Sequence, residues 1–180
     1  MAAQVKVMQI IARMNVGGPA VIVAELMRGL DKSQFEQILV TGYCDENEAD
    51  YLDTVAKDIK ATRIAGLGRS VSLIADLKAF FGLVSLIRKY QPDIILANAP
   101  EDRHPDHGRS AKLVSDAAFL SGLRKIETMH DGAGQNAWRP AYTFHYIQDR
   151  FIQPSFVIDI TKYMDRKIEA VLAYGTQFNS

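Results

Sequence analysis

The chain has 180 residues, of which 48% are apolar, so it is long enough to bury one sizeable core and is expected to form a single domain. Its 21 basic and 21 acidic residues cancel, which argues against nucleic acid or an anionic membrane as a partner. The sequence shows neither a leader pattern nor an apolar run of the roughly 20 residues that a membrane helix needs, so we expect a cytoplasmic protein. The lone Cys44 excludes an intramolecular disulfide and a cysteine zinc site.

Strand and helix patterns alternate from the start of the chain. Val5 to Ala12 predicts a buried strand, which is followed by a glycine turn and a helix with Pro19 at its first position, where no amide hydrogen is needed. Apolar residues in this helix recur at helical spacing and predict a face packed on a sheet: Ile22, Val23, Leu26, Met27 and Leu30. Next come a strand at Phe35 to Val40, a short helix at Ala49 to Lys57 and a short strand at Ala61 to Ile64.

The centre of the chain has the strongest periodicity. Ser72 to Lys89 is apolar at three- and four-residue intervals, which predicts a long amphipathic helix, and Pro92 marks its end. Asp93 to Ala97 is a short apolar run, as expected of a parallel strand buried on both faces. The remaining predictions are a helix at Arg109 to Leu123, a surface loop at Met129 to Arg139, strands at Tyr142 to Gln148 and Phe156 to Ile158, and a closing helix at Thr161 to Ala173 capped by Thr161.

Repeated strand–helix units of this kind predict an α/β fold. We expect a Rossmann-like three-layer α/β/α sandwich with a mostly parallel sheet, formed by residues 1–180 as a single domain. Ligands of such folds bind beyond the carboxyl ends of the strands. Two loops on that edge are therefore candidate sites.

The first candidate is the loop that contains Gly17 and Gly18. Glycines after a first strand let backbone amides approach an anion at a helix N-terminus, where the helix dipole favours negative charge. The loop has neither G-x-G-x-x-G nor a P-loop lysine. A tight strand-to-helix turn therefore explains the two glycines better than phosphate binding does, and phosphate binding stays open as the alternative.

The first part of the chain resembles the N-terminal domain of retaining GT-B glycosyltransferases. The resemblance covers about residues 5–95 and implies that Gly17 and Gly18 lie near acceptor and donor phosphates at a cleft between two domains. The second domain, which holds the nucleotide sugar in that family, has no counterpart in this sequence, so sugar transfer is not expected. The motifs that carry the resemblance are Val5 to Ile10, Asn15 to Ala20, Gly68-Arg69-Ser70, Asp76-Leu77 and Ile87 to Ile95.

The second candidate is the loop from Glu101 to Arg109, which holds His104, Asp106 and His107 directly after a predicted strand. Neutral imidazole is a good zinc ligand, and a protonated imidazole stabilises negative charge on a carbonyl oxygen. Taken alone, however, His-Pro-Asp-His also fits a capping turn in which Asp106 serves the following helix. Arg103 and Arg109 are expected to form surface ion pairs.

The second part of the chain, from about residue 91 to the end, resembles LmbE-like zinc deacetylases of the bacillithiol-biosynthesis type. The resemblance implies that His107 is a zinc ligand, that His104 steadies the oxyanion and that Asp106 is its acidic neighbour. Trp138 and His145 are expected to be packing or strand-face residues. The motifs are Asn98 to Arg109, Phe119 to Lys125, Trp138-Arg139-Pro140, His145 to Gln148 and Ala173 to Phe178.

One departure from the deacetylase pattern bears on catalysis. Where that family has an Ala-His-Pro-Asp-Asp motif after the first strand, this chain has Arg13 for a ligand histidine, Asn15 for the general base and Val16 for a ligand aspartate. A guanidinium, an amide and an isopropyl group cannot do that work, and a catalytic zinc normally has three protein ligands. No cofactor is therefore expected, apart from weak zinc binding at His107, and all the candidate site residues are predicted to be vestigial.

Our main prediction is an engineered chimera of two Rossmann-like fragments, a glycosyltransferase-like part at about residues 1–90 and a deacetylase-like part at about 91–180, without catalytic turnover. The splice is predicted between Leu86 and Leu96, in a segment that suits either parent. No partner is expected other than a second copy through self-association. Two alternatives remain open: a residual zinc-dependent N-deacetylase of the LmbE-like type, and a sugar- or phosphate-binding module that uses Gly17 and Gly18.

Overall fold

The computed structural model describes residues 3–68 and 72–172. In this part of the chain strands and helices alternate over residues 5–121, three short strands follow, and a 3-10 turn at Thr161–Tyr163 precedes the last helix. The elements are β1 (Val5–Ile11), α1 (Gly18–Gly29), β2 (Phe35–Thr41), α2 (Tyr51–Thr54), β3 (Ala61–Arg63), α3 (Leu73–Tyr90), β4 (Ile94–Ala97), α4 (Pro105–Ser121), β5 (Met129–His130), β6 (Ala133–Gly134), β7 (Tyr142–His145) and α5 (Met164–Leu172).

A five-stranded sheet organises the fold, with strand order β3-β2-β1-β4-β7 and every pair parallel. The central strand β1 pairs with β2 from Val5↔Phe35 to Ile11↔Thr41, and with β4 from Val7↔Ile94 to Ile10↔Ala97. Because all the strands run the same way, their carboxyl ends meet at one edge. This edge carries the loops that follow Ile11 and Ala97.

Helices cover both faces of the sheet, as the alternation of side chains along each strand requires. Met8 and Ile10 of β1 face a core formed with α3 and α4, in which Leu83, Ile87 and Val114 are fully buried. On the other face, strand residues pack against α1 and α2; this second cluster contains Ile11, Leu39, Ala20, Val23, Ala24, Tyr51 and Leu52. The predicted Rossmann-like α/β/α fold in one domain is confirmed.

Contacts between the two predicted fragments are extensive. Arg88 of α3 is 3% exposed and donates hydrogen bonds to the carbonyl oxygens of Ser121, Leu123 and Ile126 and to the hydroxyl of Thr128. The buried guanidinium of Arg88 thus binds the backbone of the segment that follows α4. A further hydrogen bond joins the parts, from the Lys6 amide to Asp93 Oδ2 (2.8 Å).

Several predicted elements differ from the observed ones. Helix α4 begins four residues before the predicted Arg109, because Pro105 supplies the fixed φ of a first helical position. The predicted surface loop from Met129 contains the short hairpin β5–β6, whose turn has Asp131 and Gly132 at positive φ. Phe156 to Ile158 is not a strand, since it pairs with none of the described strands.

Other elements are shorter than predicted. Helix α2 is a single turn within the predicted Ala49 to Lys57, and β7 stops at His145 rather than at Gln148. At the closing helix, Asp159 rather than Thr161 supplies the capping oxygen, which accepts from the Thr161 amide at 2.8 Å. The motif residues Arg69 and Ser70, and those from Ala173 to Phe178, lie outside the described residues. Within the described ranges, no helix is long and apolar enough to cross a membrane.

Candidate active site

The candidate active site lies where β4 ends and α4 begins. Asn98 follows the last residue of β4, and its side-chain Oδ1 accepts a hydrogen bond from the Ala12 amide at 2.8 Å, which ties the ends of β1 and β4 together. His104 is the N-cap residue of α4, with φ −89° and ψ 113°, and Pro105 follows it. The loop is thus fixed at both ends, and the amide groups of the first turn of α4 face the carboxyl edge of the sheet.

Asp102 organises the histidines of this loop. Its Oδ1 accepts a hydrogen bond from the His104 backbone amide at 2.9 Å, and its Oδ2 lies 3.1 Å from Nδ1 of His107. The side chain of Asp102 is 3% exposed and that of His107 is 14% exposed. Sequence reasoning did not assign Asp102, although an aspartate two residues before a helix N-cap is typical of a turn in which the carboxylate accepts from the backbone.

The charge on Asp102 favours one tautomer of His107. Burial alone raises the pKa of Asp102, but the hydrogen bonds from the His104 amide and the His107 ring outweigh it, so the pKa of this carboxyl lies below its usual range. An ionised Asp102 places a proton on Nδ1 of His107. In neutral His107 the other ring nitrogen, Nε2, therefore carries the lone pair and can accept a proton.

His104 lies beside this pair, with its ring centroid 5.2 Å from that of His107 and the ring planes tilted by 53°. Nε2 of His104 accepts from Arg103 Nε at 3.3 Å. In neutral His104 the proton then lies on Nδ1, which is a hydrogen-bond donor. The Asp102–His104–His107 cluster therefore combines a proton acceptor with a proton donor within one loop.

Asp106, the predicted acidic neighbour of His104, contacts a different residue. Its Oδ2 lies 2.8 Å from Nη1 of Arg13, and Arg13 Nε lies 2.9 Å from Oε2 of Glu48. Arg13 is 8% exposed and Asp106 is 6% exposed, so this ion pair is nearly dry. It joins the end of β1 to the first turn of α4 and leaves Asp102 as the carboxylate next to the histidines.

The donor set of this edge does not fit a catalytic zinc with three protein ligands. Within residues 3–68 and 72–172, no group of three or more His, Cys, Asp or Glu side chains could hold a metal ion. Of the carboxylates at the start of α4, Asp106 is neutralised by Arg13, whose guanidinium is itself a fixed cation and would repel a metal beside it. Nδ1 of His107 faces Asp102 Oδ2 at 3.1 Å, which directs this nitrogen toward the carboxylate.

Arg13, Asn15 and Val16, the three residues compared above with the deacetylase motif, hold the loop after β1 in place. Asn15 forms an isolated antiparallel bridge with Asp50, and the Val16 amide donates to the carbonyl oxygen of Ala49 at 3.0 Å. The Val16 side chain is 54% exposed and offers no donor atom. The loop after β1 is thus held by the Ala49–Asp50 segment and by the buried Arg13.

Gly17 and Gly18 lie at the start of α1, where Gly17 is the N-cap. A Cβ atom on Gly18 would meet nothing within 4 Å, and one on Gly17 would approach no atom closer than 3.9 Å. Contacts within the described chain therefore do not demand glycine at either position. Phosphate binding by this loop stays a prediction.

The other residues named from the sequence have defined contacts. The His145 ring lies between Ser115 Oγ (3.0 Å from Nε2) and the carbonyl oxygen of Asn98 (2.8 Å from Nδ1). Trp138 packs against the core beneath α3 and α4, as expected. Arg103 lies 3.8 Å from Asp149, and Arg109 lies 3.8 Å from Asp76 and also donates to the carbonyl oxygen of Gly68.

Comparisons with known proteins point to deacetylases. No protein-family model matches the chain. Its sequence is 30% identical over 100 residues to the diacetylchitobiose deacetylase of Thermococcus kodakarensis, a match that covers 53% of this chain and 36% of that protein. The chain is similar to a natural deacetylase. It spans about a third of that relative's length.

Two solved structures share the fold over almost the whole chain. The N,N'-diacetylchitobiose deacetylase from Pyrococcus horikoshii superposes with a TM-score of 0.59 at 20% identity, covering 96% of this chain and 70% of that one. The conserved protein TT1542 from Thermus thermophilus gives a TM-score of 0.57 at 22% identity, covering 97% of this chain and 80% of that one. At these identities the likeness establishes the fold alone.

These findings contradict our main prediction from the sequence. The similarity to a natural deacetylase extends over 100 residues, and the fold similarity extends over both predicted fragments. The prediction of an engineered chimera without turnover is therefore wrong, as is the prediction that the protein is not an enzyme. The alternative, a deacetylase of the LmbE-like type, fits the comparisons better.

Proposed function

We propose that the protein is an amide hydrolase that removes acetyl groups from N-acetylated amino sugars. The observation that carries the proposal is the 3.1 Å contact between Asp102 and His107, next to His104, at the carboxyl edge of the parallel sheet. The sequence similarity to a diacetylchitobiose deacetylase supports the substrate class. The reaction converts the acetamide and one water into acetate and a free amine.

His107 acts as the general base in this proposal. Its Nε2 removes a proton from a water molecule while the water oxygen attacks the acetyl carbonyl carbon. The imidazolium that forms is stabilised by Asp102, whose lowered pKa keeps it ionised. General base catalysis of this kind contributes about 10²–10⁴-fold to a rate.

The tetrahedral intermediate carries negative charge on the former carbonyl oxygen. Nδ1–H of His104 donates a hydrogen bond to this oxygen, and the positive end of the α4 dipole lies at the same place in the fold. When the intermediate collapses, the carbon–nitrogen bond breaks and the His107 imidazolium returns its proton to the leaving amine. His107 is then neutral and ready for another turnover.

No step of this mechanism passes through a metal, since the donor set does not fit one. Arg13 is a positioning residue: its ion pair with Asp106 fixes the first turn of α4, from which His104 and His107 extend. Its positive charge is shared between Asp106 and Glu48. The guanidinium therefore contributes little to polarising a substrate.

Acetate release from diacetylchitobiose and from N-acetylglucosamine tests the proposal. We expect slow release by the full chain and a loss of at least tenfold in His107→Ala, by the general base argument. Lys112→Ala is the matched control, because Lys112 lies on the exposed side of α4, where it pairs with Asp116. Absence of acetate from both substrates, or equal rates in wild type and His107→Ala, would overturn the proposed function.

A further inference from the structure

A small recess lies at the point where the order of the strands reverses. The crossover after β1 leads to β2 and the crossover after β4 leads to β7, on opposite sides of β1. Ligands of open parallel sheets bind at such a switch point, beyond the carboxyl ends of the strands. The recess is lined by residues of β1, of the start of α1 and of the segments after β4 and β7: Ile10, Ile11, Pro19, Ile22, Val23, Asn98, Tyr146 and Gln148.

Two polar atoms of the recess residues are buried and find no hydrogen-bond partner in the described chain. These atoms are the hydroxyl oxygen of Tyr146 and Oε1 of Gln148, and neither forms a hydrogen bond within residues 3–68 and 72–172. A buried polar group that lacks a partner costs free energy, so such groups are rare in folded proteins. A ligand group that enters the recess supplies a partner for both atoms.

The size and the polarity of the recess select the group that fits. Its cavity volume is about 10 Å³, close to the roughly 10–15 Å³ that one water molecule needs. A hydroxyl group fits this space, whereas an acetyl group or a sugar ring is too large. Burial raises the pKa of Tyr146 to about 12, so its hydroxyl stays protonated and is a donor at neutral pH. Gln148 Oε1 is an acceptor, and a hydroxyl group can accept from the one and donate to the other.

The recess borders the loop that carries the proposed catalytic histidines. That loop begins at Asn98, which also lines the recess. The segment that holds the two unpartnered atoms lies along the same loop. Nδ1 of His145 lies 2.8 Å from the Asn98 carbonyl oxygen, and Oδ1 of Asp149 lies 3.8 Å from Nε of Arg103. A substrate held by the histidines therefore lies on the same edge of the sheet as the recess.

We propose that Tyr146 and Gln148 bind one hydroxyl group of the amino sugar and so hold the sugar with its acetamide group at the histidines. The choice of an amino sugar rests on the proposed function. The Tyr146 hydroxyl donates to the oxygen of the sugar hydroxyl, and the sugar hydroxyl donates to Oε1 of Gln148. The apolar side chains of the recess keep water from these two hydrogen bonds, which strengthens both.

Calorimetric titration with N-acetylglucosamine tests this inference. The titrations use the His107→Ala chain, which lacks the proposed base, with and without Tyr146→Phe or Gln148→Met. We expect each added change to weaken binding at least tenfold, because a buried hydrogen bond to the sugar is lost. Tyr142→Phe, at a position 60% exposed on β7 and outside the recess, is the matched control and should leave the affinity unchanged.

The thermal stability of the free chain separates sugar binding from a structural role of the Tyr146 hydroxyl. Tyr146→Phe removes a buried hydroxyl that has no partner in the described chain, so it should raise the Tm by about 2–4 °C. A hydroxyl that stabilised the fold through a hydrogen bond would give a lower Tm instead. Deoxy analogues of N-acetylglucosamine then identify the contact: the analogue without the bound hydroxyl should have the same affinity whether residue 146 is Tyr or Phe.

Four results would each overturn the inference: no binding of N-acetylglucosamine at millimolar concentration, an affinity that neither Tyr146→Phe nor Gln148→Met reduces, a Tm that falls in Tyr146→Phe, or an equal loss of affinity for every deoxy analogue. Acetate release tests the proposed function separately. If the His107-containing chain releases no acetate but binding still depends on Tyr146, the proposed function fails and the recess still binds the sugar. If acetate is released with a KM that Tyr146→Phe leaves unchanged, only the role of the recess is refuted.

Discussion

Nη1 of Arg13 lies 2.8 Å from Oδ2 of Asp106, and this ion pair connects the loop after β1 to the first turn of α4. Both side chains are more than nine-tenths buried, and Glu48 completes the set at 2.9 Å from Arg13 Nε. The pair holds the loop of the Asp102–His104–His107 cluster on the edge of the sheet. It also explains why the Asp106 carboxylate contacts Arg13 instead of the His104 ring.

We expect Arg13→Met to destabilise the fold strongly. Removing one partner leaves the buried Asp106 uncompensated, which costs about 3–5 kcal/mol of unfolding free energy. Urea unfolding measures the loss. Arg28→Met is the control, because Arg28 forms exposed ion pairs with Glu25 and Asp58, and exposed pairs contribute little to stability. Equal losses in the two variants would contradict the role given to Arg13.

We expect Arg88, which joins the two parts of the chain, to contribute as much to the free energy of unfolding as Arg13 does. Arg88→Met removes hydrogen bonds to one buried and two partly buried backbone carbonyls, so we expect a loss on the order of 3–5 kcal/mol. Lys78→Ala, on an exposed turn of the same helix, should change stability by less than about 0.5 kcal/mol. The wild type should unfold in a single transition. Two separate transitions would show that the halves do not share one core.

The contribution of Asp102 to stability should depend on pH. A carboxyl whose pKa is lower in the folded state stabilises the fold above its unfolded pKa, and this stabilisation is lost as the pH falls through the folded value. Asp102→Asn should therefore lower the Tm at neutral pH, and the difference from wild type should shrink once the pH drops below about 3.9. Asp116→Asn, at an exposed ion pair, should change the Tm little at any pH. A difference that is constant from neutral to acid pH would contradict the account of Asp102.

The regular part of the fold could be predicted from the sequence because its periodicities are long. Ser72 to Lys89 is long enough for about five helical turns, and the observed α3 differs from it by one residue at each end. Short elements had less pattern to constrain them. Phe156 to Ile158 has the composition of a strand, but β7 is the last strand of the sheet and no described segment pairs with its outer side.

The sequence predicted where the candidate site lies, but not which carboxylate contacts which histidine. The sequence located the histidines after a buried strand, and β4 ends before them as expected. The sequence did not show which carboxylate contacts which histidine, because Asp102 and Asp106 are only four residues apart. That choice is made by Arg13, a residue 93 positions away in the chain that reaches Asp106 only in the folded state.

Acetate release by metal-depleted protein tests the central claim most directly. The chain is dialysed against a chelator, its zinc content is measured, and acetate release from diacetylchitobiose is compared between wild type and His107→Ala. Our account predicts that wild-type release continues without zinc and that His107→Ala lowers it at least tenfold. Release that stops on chelation and returns on adding zinc would contradict the claim that Asp102 and His107 activate water by themselves.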